Sequence, residues 1–344
     1  MGLNTRKQQV LEAIVESHII TAEPVSSRSI ARKYRLGVSP ATIRNEMSDL
    51  EEMGLIEQPH TSAGRVPSQP GYRYYVDRLM KKINLTSREE RIARALFAQK
   101  AKVLANVIQS TIKTVTQLTD YLVLLSGPQL ENAALKTIKT IPLTPDEALV
   151  VIVTETGWVE SKVVDLPSGL AADDLEYIEN VLNTYFRGLT FPQISRTILN
   201  NVYDKLIKQR QVLDRIMEVV EALLQENEDE VIYLGGAQNI LKQPEYTDIA
   251  AVRNLMSFIE DEGILRRILH KTNPRKVTVM IGREINYDPA AGYSVVSSVY
   301  SIGGNVVGTI GLLGPMRMDY ARAMAVVEYT TGILSDVLSG DAFF

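Results

Sequence analysis

The 344-residue chain contains no cysteine, only three histidines and a single tryptophan. Without cysteine there are no disulfides, no thiolate metal sites and no cysteine nucleophile, which fits a reducing compartment. His18, His60 and His270 are scattered, far from the one-turn pairing that metal-binding helices use, so no metal is expected. Long apolar runs are also missing. ALVVIV at 148–153 falls far short of the roughly 20 residues needed to span a bilayer, and MGLNTRKQQV lacks the apolar core of a signal peptide. The expectation is a cytoplasmic protein that makes no membrane contact.

Catalytic constellations are lacking as well. Acids are plentiful, yet none stands beside a nucleophile or a metal cluster, so no catalytic residue and no cofactor is assigned and the chain is not read as an enzyme. Gly303, Gly304, Gly308, Gly311 and Gly314 alternate with valine, isoleucine and leucine, and no GK[ST] comes after them. They describe a closely packed hairpin instead of a phosphate loop.

Charge is present but unevenly spread. The net −4 divides into 12 Lys and Arg against 9 Asp and Glu up to Lys82, a balance of +3, and 25 against 32 beyond it, a balance of −7. A basic module on an acidic body suits a nucleic-acid-binding head with a separate regulatory body.

Three helical patterns fill the head. The first begins near Thr5, its candidate N-cap, and turns Val10 and Ile14 inward; the second comes after Pro24, with Ser26 or Ser27 as cap; the third runs from Ser39, a capping residue ahead of Pro40, to a stop at Gly54. At 100° per residue Ile43, Met47 and Leu50 share the third helix's inner side, leaving Asn45 and Ser48 outside with Thr42 and Arg44 flanking. Two readings fit that face: a solvated surface, or a recognition helix entering the major groove by its first two turns. The second would give Asn45 an adenine and Arg44 a guanine or a phosphate, with Ser39, Thr42 and Ser48 in support. After Gly54 come LIEQ, the polar loop PHTSAGR and VPS, a hairpin with Arg65 near its tip, so the unit reads as a winged helix-turn-helix. Thr61, Ser62 and Arg65 are its candidate wing contacts, the alternative for Arg65 being an exposed loop arginine.

Beyond residue 82 the patterns are those of an α+β, multidomain chain. Thr86 and Glu89 have capping-box spacing and open one or two long helices. Strand patterns appear at LKTIKTIPL, ALVVIVT and WVESKVVDL, then much later at KVTVMIG, YSVVSSVYSI and VVGTIGLLG, so an antiparallel sheet is interrupted by an insertion. In the insertion Leu213, Ile216, Val220 and Leu223 form a helical seam that suits either a dimer contact or packing inside one monomer. The expected divisions are residues 1–82 for the head, 83–122 for linker helices, 123–166 and 230–344 for the sheet domain, and 167–229 for a mostly helical insertion.

The run SPATIRNEMSDLEEMGLIEQPHTSAGRVPSQPGYRYYVDRL closely resembles the amino-terminal signature of the HrcA family, heat-inducible transcription repressors of bacterial chaperone operons. SIGGNVVGTIGLLGPMRMDYAR, LGGAQNIL and QPEY resemble the same family, so the likeness spans nearly the whole chain. It implies a GAF-like sheet domain, an inserted dimerisation domain, and a homodimer bound to an inverted-repeat operator in double-stranded DNA. It also implies a chaperonin as the partner that keeps the repressor active until heat shock diverts it. A small-molecule-gated repressor, with the GAF-like domain as sensor, is the alternative; a polar-lined cavity in the sheet domain would favour it.

Overall fold

The computed structural model describes residues 2–60, 63–97, 104–127, 134–155, 159–167, 172–190, 193–226, 231–287, 290–302 and 305–339. The chain opens with α1 (Thr5–Thr21), α2 (Ser27–Lys33) and α3 (Pro40–Glu52). Each starts on a side chain that accepts a backbone N–H three residues on: Asn4 from Lys7, Ser26 from Ser29, Ser39 from Thr42. The first cap is Asn4, one residue before the expected Thr5. Both precede the same apolar stripe, so the periodicity could not separate them.

The strands β1 (Ile56–Glu57) and β2 (Val66–Pro67) pair antiparallel as the expected hairpin, and Ser68 caps α4 (Gln69–Tyr74), which runs into a single π-helical turn at Tyr75–Leu79. The start of α4 crosses the entry to β1 so closely that a Cβ on Gly71 would lie 1.9 Å from the Leu55 carbonyl oxygen. Only glycine fits there.

The body begins with α5 (Ser87–Phe97), opened by the Thr86–Glu89 capping box, and α6 (Leu104–Leu118). After β3 (Leu122–Ser126) the chain leaves, forming β4 (Leu135–Thr144), β5 (Glu147–Thr154), β6 (Val159–Asp165), α7 (Ala172–Phe186), α8 (Arg196–Lys205) and α9 (Arg210–Glu226). It returns as β7 (Ile232–Gly235), α10 (Ala237–Ile240), α11 (Ile249–Glu260), α12 (Glu262–His270), β8 (Thr278–Ile281), β9 (Tyr293–Ile302), β10 (Asn305–Pro315) and α13 (Tyr320–Ser339).

Five strands make the main sheet, in the order β7-β3-β10-β9-β8 with every pairing antiparallel. One face is covered by α5, α6 and α13, the other by α11 and α12 around Leu255, Phe258, Leu265 and Tyr293. The interrupted antiparallel sheet expected from the strand patterns is present, with two boundaries corrected. Residues 83–122 are not a separate linker, because α5 and α6 pack on α13 as a layer of the body. Residues 135–165 do not join the main sheet: β4, β5 and β6 form a three-stranded sheet of their own. Their inner side chains Ile138, Val150 and Ile152 pack with Ile178, Leu182 and Phe186 of α7. The insertion therefore starts at about residue 134, well before 167, and is sheet-and-helix instead of mostly helical.

The head is not a separate globule. Val10, Ile14, Ile43, Leu50 and Tyr72 belong to one apolar cluster with Val115, Tyr300 and Val326 of the body. Polar clamps close the seam. Arg73 Nε donates to Glu284 Oε1 at 2.9 Å, and its Nη2 donates to the Val279 carbonyl at 2.7 Å and to the same carboxylate. Arg317 reaches the Ile19 carbonyl at 2.9 Å, Gln243 at 2.7 Å and Glu245 at 2.6 Å.

Candidate nucleic-acid interface

Burial divides α3 as its periodicity requires. Ile43 and Leu50 are fully buried and Met47 nearly so, while Arg44, Asn45 and Ser48 are exposed. Among the described residues neither Arg44 nor Asn45 has a hydrogen-bond or ion-pair partner, so both present free donors to solvent. The hydroxyls of Ser39 and Thr42 are differently placed. Ser39 Oγ accepts the Thr42 N–H at 3.1 Å and lies 3.0 Å from Thr42 Oγ1, so this pair closes the helix start and aims its free N–H groups outward.

The acids of α3 do not face outward as a group. Glu46 is buried and pairs with Lys7 at 3.0 Å and Arg6 at 3.6 Å. Asp49 takes the same Lys7 at 2.8 Å, and these two carboxylates raise the lysine's pKa. Glu51 is held by Arg65. Three of the four negative charges that stand against a DNA-binding role are thus compensated by cations of α1 and the hairpin, leaving Glu52 at the far end of the helix.

Arg65 sits at the root of the hairpin, not its tip, with its side chain 22% exposed. Its Nε and Nη2 both reach Glu51 Oε2, at 2.9 and 2.8 Å, and its backbone bridges Val25 in both directions. Thr61 and Ser62, the other two expected wing contacts, lie outside the described residues. Between the start of α2, the outer face of α3 and the hairpin root is a cleft of about 480 Å³, lined by Ser26, Ser27, Arg44, Ser48, Gln58 and Arg65 among others.

Sequence reading missed the basic side chains on α2 and in the turn just after it. Arg28, Arg32 and Arg35 are all exposed beside α3, and Lys33 lies over the Tyr34 ring. Their signal was available: 28 to 32 is one helical turn, so the cations line one side.

The insertion needs a correction. Leu213 and Ile216 are fully buried in its own core, so they bind α9 to this chain and are not open to a second one. The side chains of Val220 and Leu223 lie outside the described residues. The apolar surface that is open is the outer face of the small sheet, where Ile141, Leu149 and Val163 stand side by side in register and Val153 pairs with Val159. Ile141, Val159 and Val163 are 48%, 57% and 50% exposed.

No helix among the described residues is long and apolar enough to cross a membrane, and no group of three or more side chains there could hold a metal ion. In the sheet domain a recess of about 380 Å³ lies beside Leu269, His270, Thr272 and Thr309, at the surface.

Residues 105–324 match the family model described as the HrcA protein C-terminal domain. The heat-inducible transcription repressor HrcA of Pelotomaculum thermopropionicum is 44% identical over 98% of this chain and 97% of its own length. That of Desulforudis audaxviator is 45% identical over 98% of each. A solved structure described as a hypothetical protein at 2.2 Å resolution superposes with a TM-score of 0.67 and 26% identity, covering 99% of this chain and all of that one. An α+β chain with these relatives is a transcription repressor. It belongs to the HrcA family, the heat-inducible repressors that act as negative regulators of heat-shock transcription.

Proposed function

We propose that the chain works as a homodimer in the cytoplasm, gripping an inverted-repeat operator with two winged helix-turn-helix heads, and that a chaperonin maintains its active form until heat shock draws the chaperonin away. The observation that carries this reading is the bare outer face of α3. Arg44 and Asn45 are exposed and unengaged while most of the helix's acids are tied back. Asn45 reads adenine, Arg44 reads guanine or holds a phosphate, and Ser39, Thr42 and Ser48 with the α3 N-terminus take the adjoining backbone. Arg28 and Arg32 add phosphate contacts from α2, the helix that crosses the backbone in this motif, and Arg35 adds one from the turn that follows it.

The five-stranded domain is the GAF-like body, and the dimer forms through the insertion. A second copy laid on the outer face of β4, β5 and β6 covers side chains that are apolar and open, and a two-fold dimer matches a two-fold site. Those same side chains suit a chaperonin, which captures exposed apolar surface.

Gel-shift titration against an inverted-repeat duplex, with and without chaperonin, tests address and partner together. Tight binding that decays on heating and is preserved by chaperonin is expected; affinity no greater than for random duplex overturns the reading. Asn45→Ala loses about 1–3 kcal/mol of discrimination at one base position per half-site while the fold stays intact. An unchanged base-substitution profile would remove Asn45 from direct readout.

A further inference from the structure

We infer that Arg65 is a positioning residue, not a phosphate contact: through its ion pair with Glu51 it sets the angle of the hairpin against α3. The inference rests on the DNA-binding reading and refines it. Residue Arg65 is held from three sides. Its N–H donates to the Val25 carbonyl at 2.9 Å and its own carbonyl accepts the Val25 N–H at 2.8 Å, so its backbone is sewn to the segment that enters α2. Its guanidinium lies side-on to one carboxylate oxygen of Glu51 on α3. The residue before it is Gly64, where a Cβ would stand 2.5 Å from the Val25 carbonyl oxygen, so hairpin and segment touch through backbone alone. Gln58 Nε2 closes the loop side by donating to the Ala63 carbonyl at 3.2 Å.

Three elements thus meet at one residue: the approach to α2 through its backbone, the second half of α3 through its side chain, and the returning strand β2 that it leads into. Such a joint decides where the loop between the strands lies relative to Arg44 and Asn45. The ion pair itself adds little to folding, since its partners are 22% and 33% exposed and pairs this wet are worth little. Its value is angular, which separates it from a stability role. It also separates it from a phosphate role, because a guanidinium that neutralises a phosphate releases a counterion and leaves a mark on the salt dependence.

The test uses full-length protein and the duplex it selects from a random-sequence library. Affinity is measured over a range of salt for wild type, Arg65→Ala, Glu51→Ala and the double variant, with thermal melts to show that each is folded. Each single substitution is expected to weaken binding about tenfold, the double no further, and all four log–log salt slopes to coincide. If Arg65→Ala flattens the slope by about 0.9 while Glu51→Ala binds as tightly as wild type or more so, Arg65 holds a phosphate and the inference fails. A wild-type protein that selects no duplex at all sinks the DNA-binding reading first, and this one with it.

Discussion

The head and the insertion are attached to the same body in opposite ways. The head shares the body's core: its Ile14, Leu50 and Tyr72 belong to the cluster that holds Val115 and Val326, and Arg73 and Arg317 clamp the seam. The insertion keeps a core of its own, running from Leu135 to Met217, with no member in common with the other two clusters. Among the described residues none of its strands or helices packs extensively on the body. A head fused through its apolar core cannot turn without exposing that core, whereas the insertion can change its attitude and lose little. In a dimer joined at the insertions, the distance between two heads is then set where insertion meets body, not where head meets body. Cooperative units track shared cores, so head and body should unfold together and the insertion separately.

The largest expected effect separates the two units directly. Phe186 is almost completely buried in the insertion. Phe186→Ala should cost about 4 kcal/mol there, the range for emptying an aromatic site, and lower one calorimetric transition while leaving the other in place. A single transition that moves as a whole would show that the insertion and the body are one unit after all.

Next comes Gly71→Ala. The added methyl meets a backbone carbonyl at 1.9 Å, an atom that cannot swing away, so α4 must lift off β1. The expected cost is about 3 kcal/mol, on the head-and-body transition alone. Urea unfolding monitored by near-ultraviolet absorption of the many tyrosines in that unit would register it.

These contrasts also mark how far the sequence could be read. The buried and bare sides of α3 were legible because helical periodicity and the Ser39–Pro40 start are local properties. The fate of its acids was not, since Lys7 and Arg65 reach them only after the chain has folded back on itself. Strands β4 to β6 were recognisable one by one, yet alternation does not say which sheet a strand joins. That depends on pairing, and one of the two partners of β3 is β10, close to the other end of the chain. Leu213 and Ile216 were identified as an apolar seam for the same local reason, while the owner of the core they enter is a tertiary fact. The hairpin and the helix α3 were foreseen; the joint between them was not, because an arginine in a polar loop carries no sign of its partner.

Arg73→Ala tests whether the seam is clamped or merely packed. It removes two donors from Glu284 and one from the Val279 carbonyl and leaves a half-buried carboxylate with the Ile281 N–H. A loss of about 2 kcal/mol from the head-and-body transition is expected, most of it from the Val279 carbonyl and the Glu284 carboxylate left without their donors and little from the ion pair itself, whose partners keep some contact with water. Glu284→Gln should cost less, since the amide still meets one guanidinium N–H. No change in either variant would assign the whole attachment to the apolar core.

The smallest effect is one of pH, and it bears on the same seam. His18 Nδ1 lies 2.6 Å from the Tyr72 hydroxyl, whose ring stands 6.1 Å from that of Tyr320 in the body. Burial, and secondarily the Arg317 charge, lower the His18 pKa from its usual 6.5 to about 4. Burial raises that of Tyr72, so the phenol keeps its proton and shares one hydrogen bond with a neutral imidazole. A base with a depressed folded pKa stabilises the fold above its unfolded value and loses that contribution as pH falls toward the folded one. Between pH 6.5 and about 4 the unfolded chain takes up a proton that the seam refuses. Because His18 keeps partial access to water, the loss by pH 5 should be only about 1 kcal/mol. It should appear as the difference between wild type and His18→Gln in the head-and-body transition, with the insertion unaffected. Were the two proteins to respond alike from neutrality to pH 5, the histidine would be titrating as freely in the seam as in the unfolded chain.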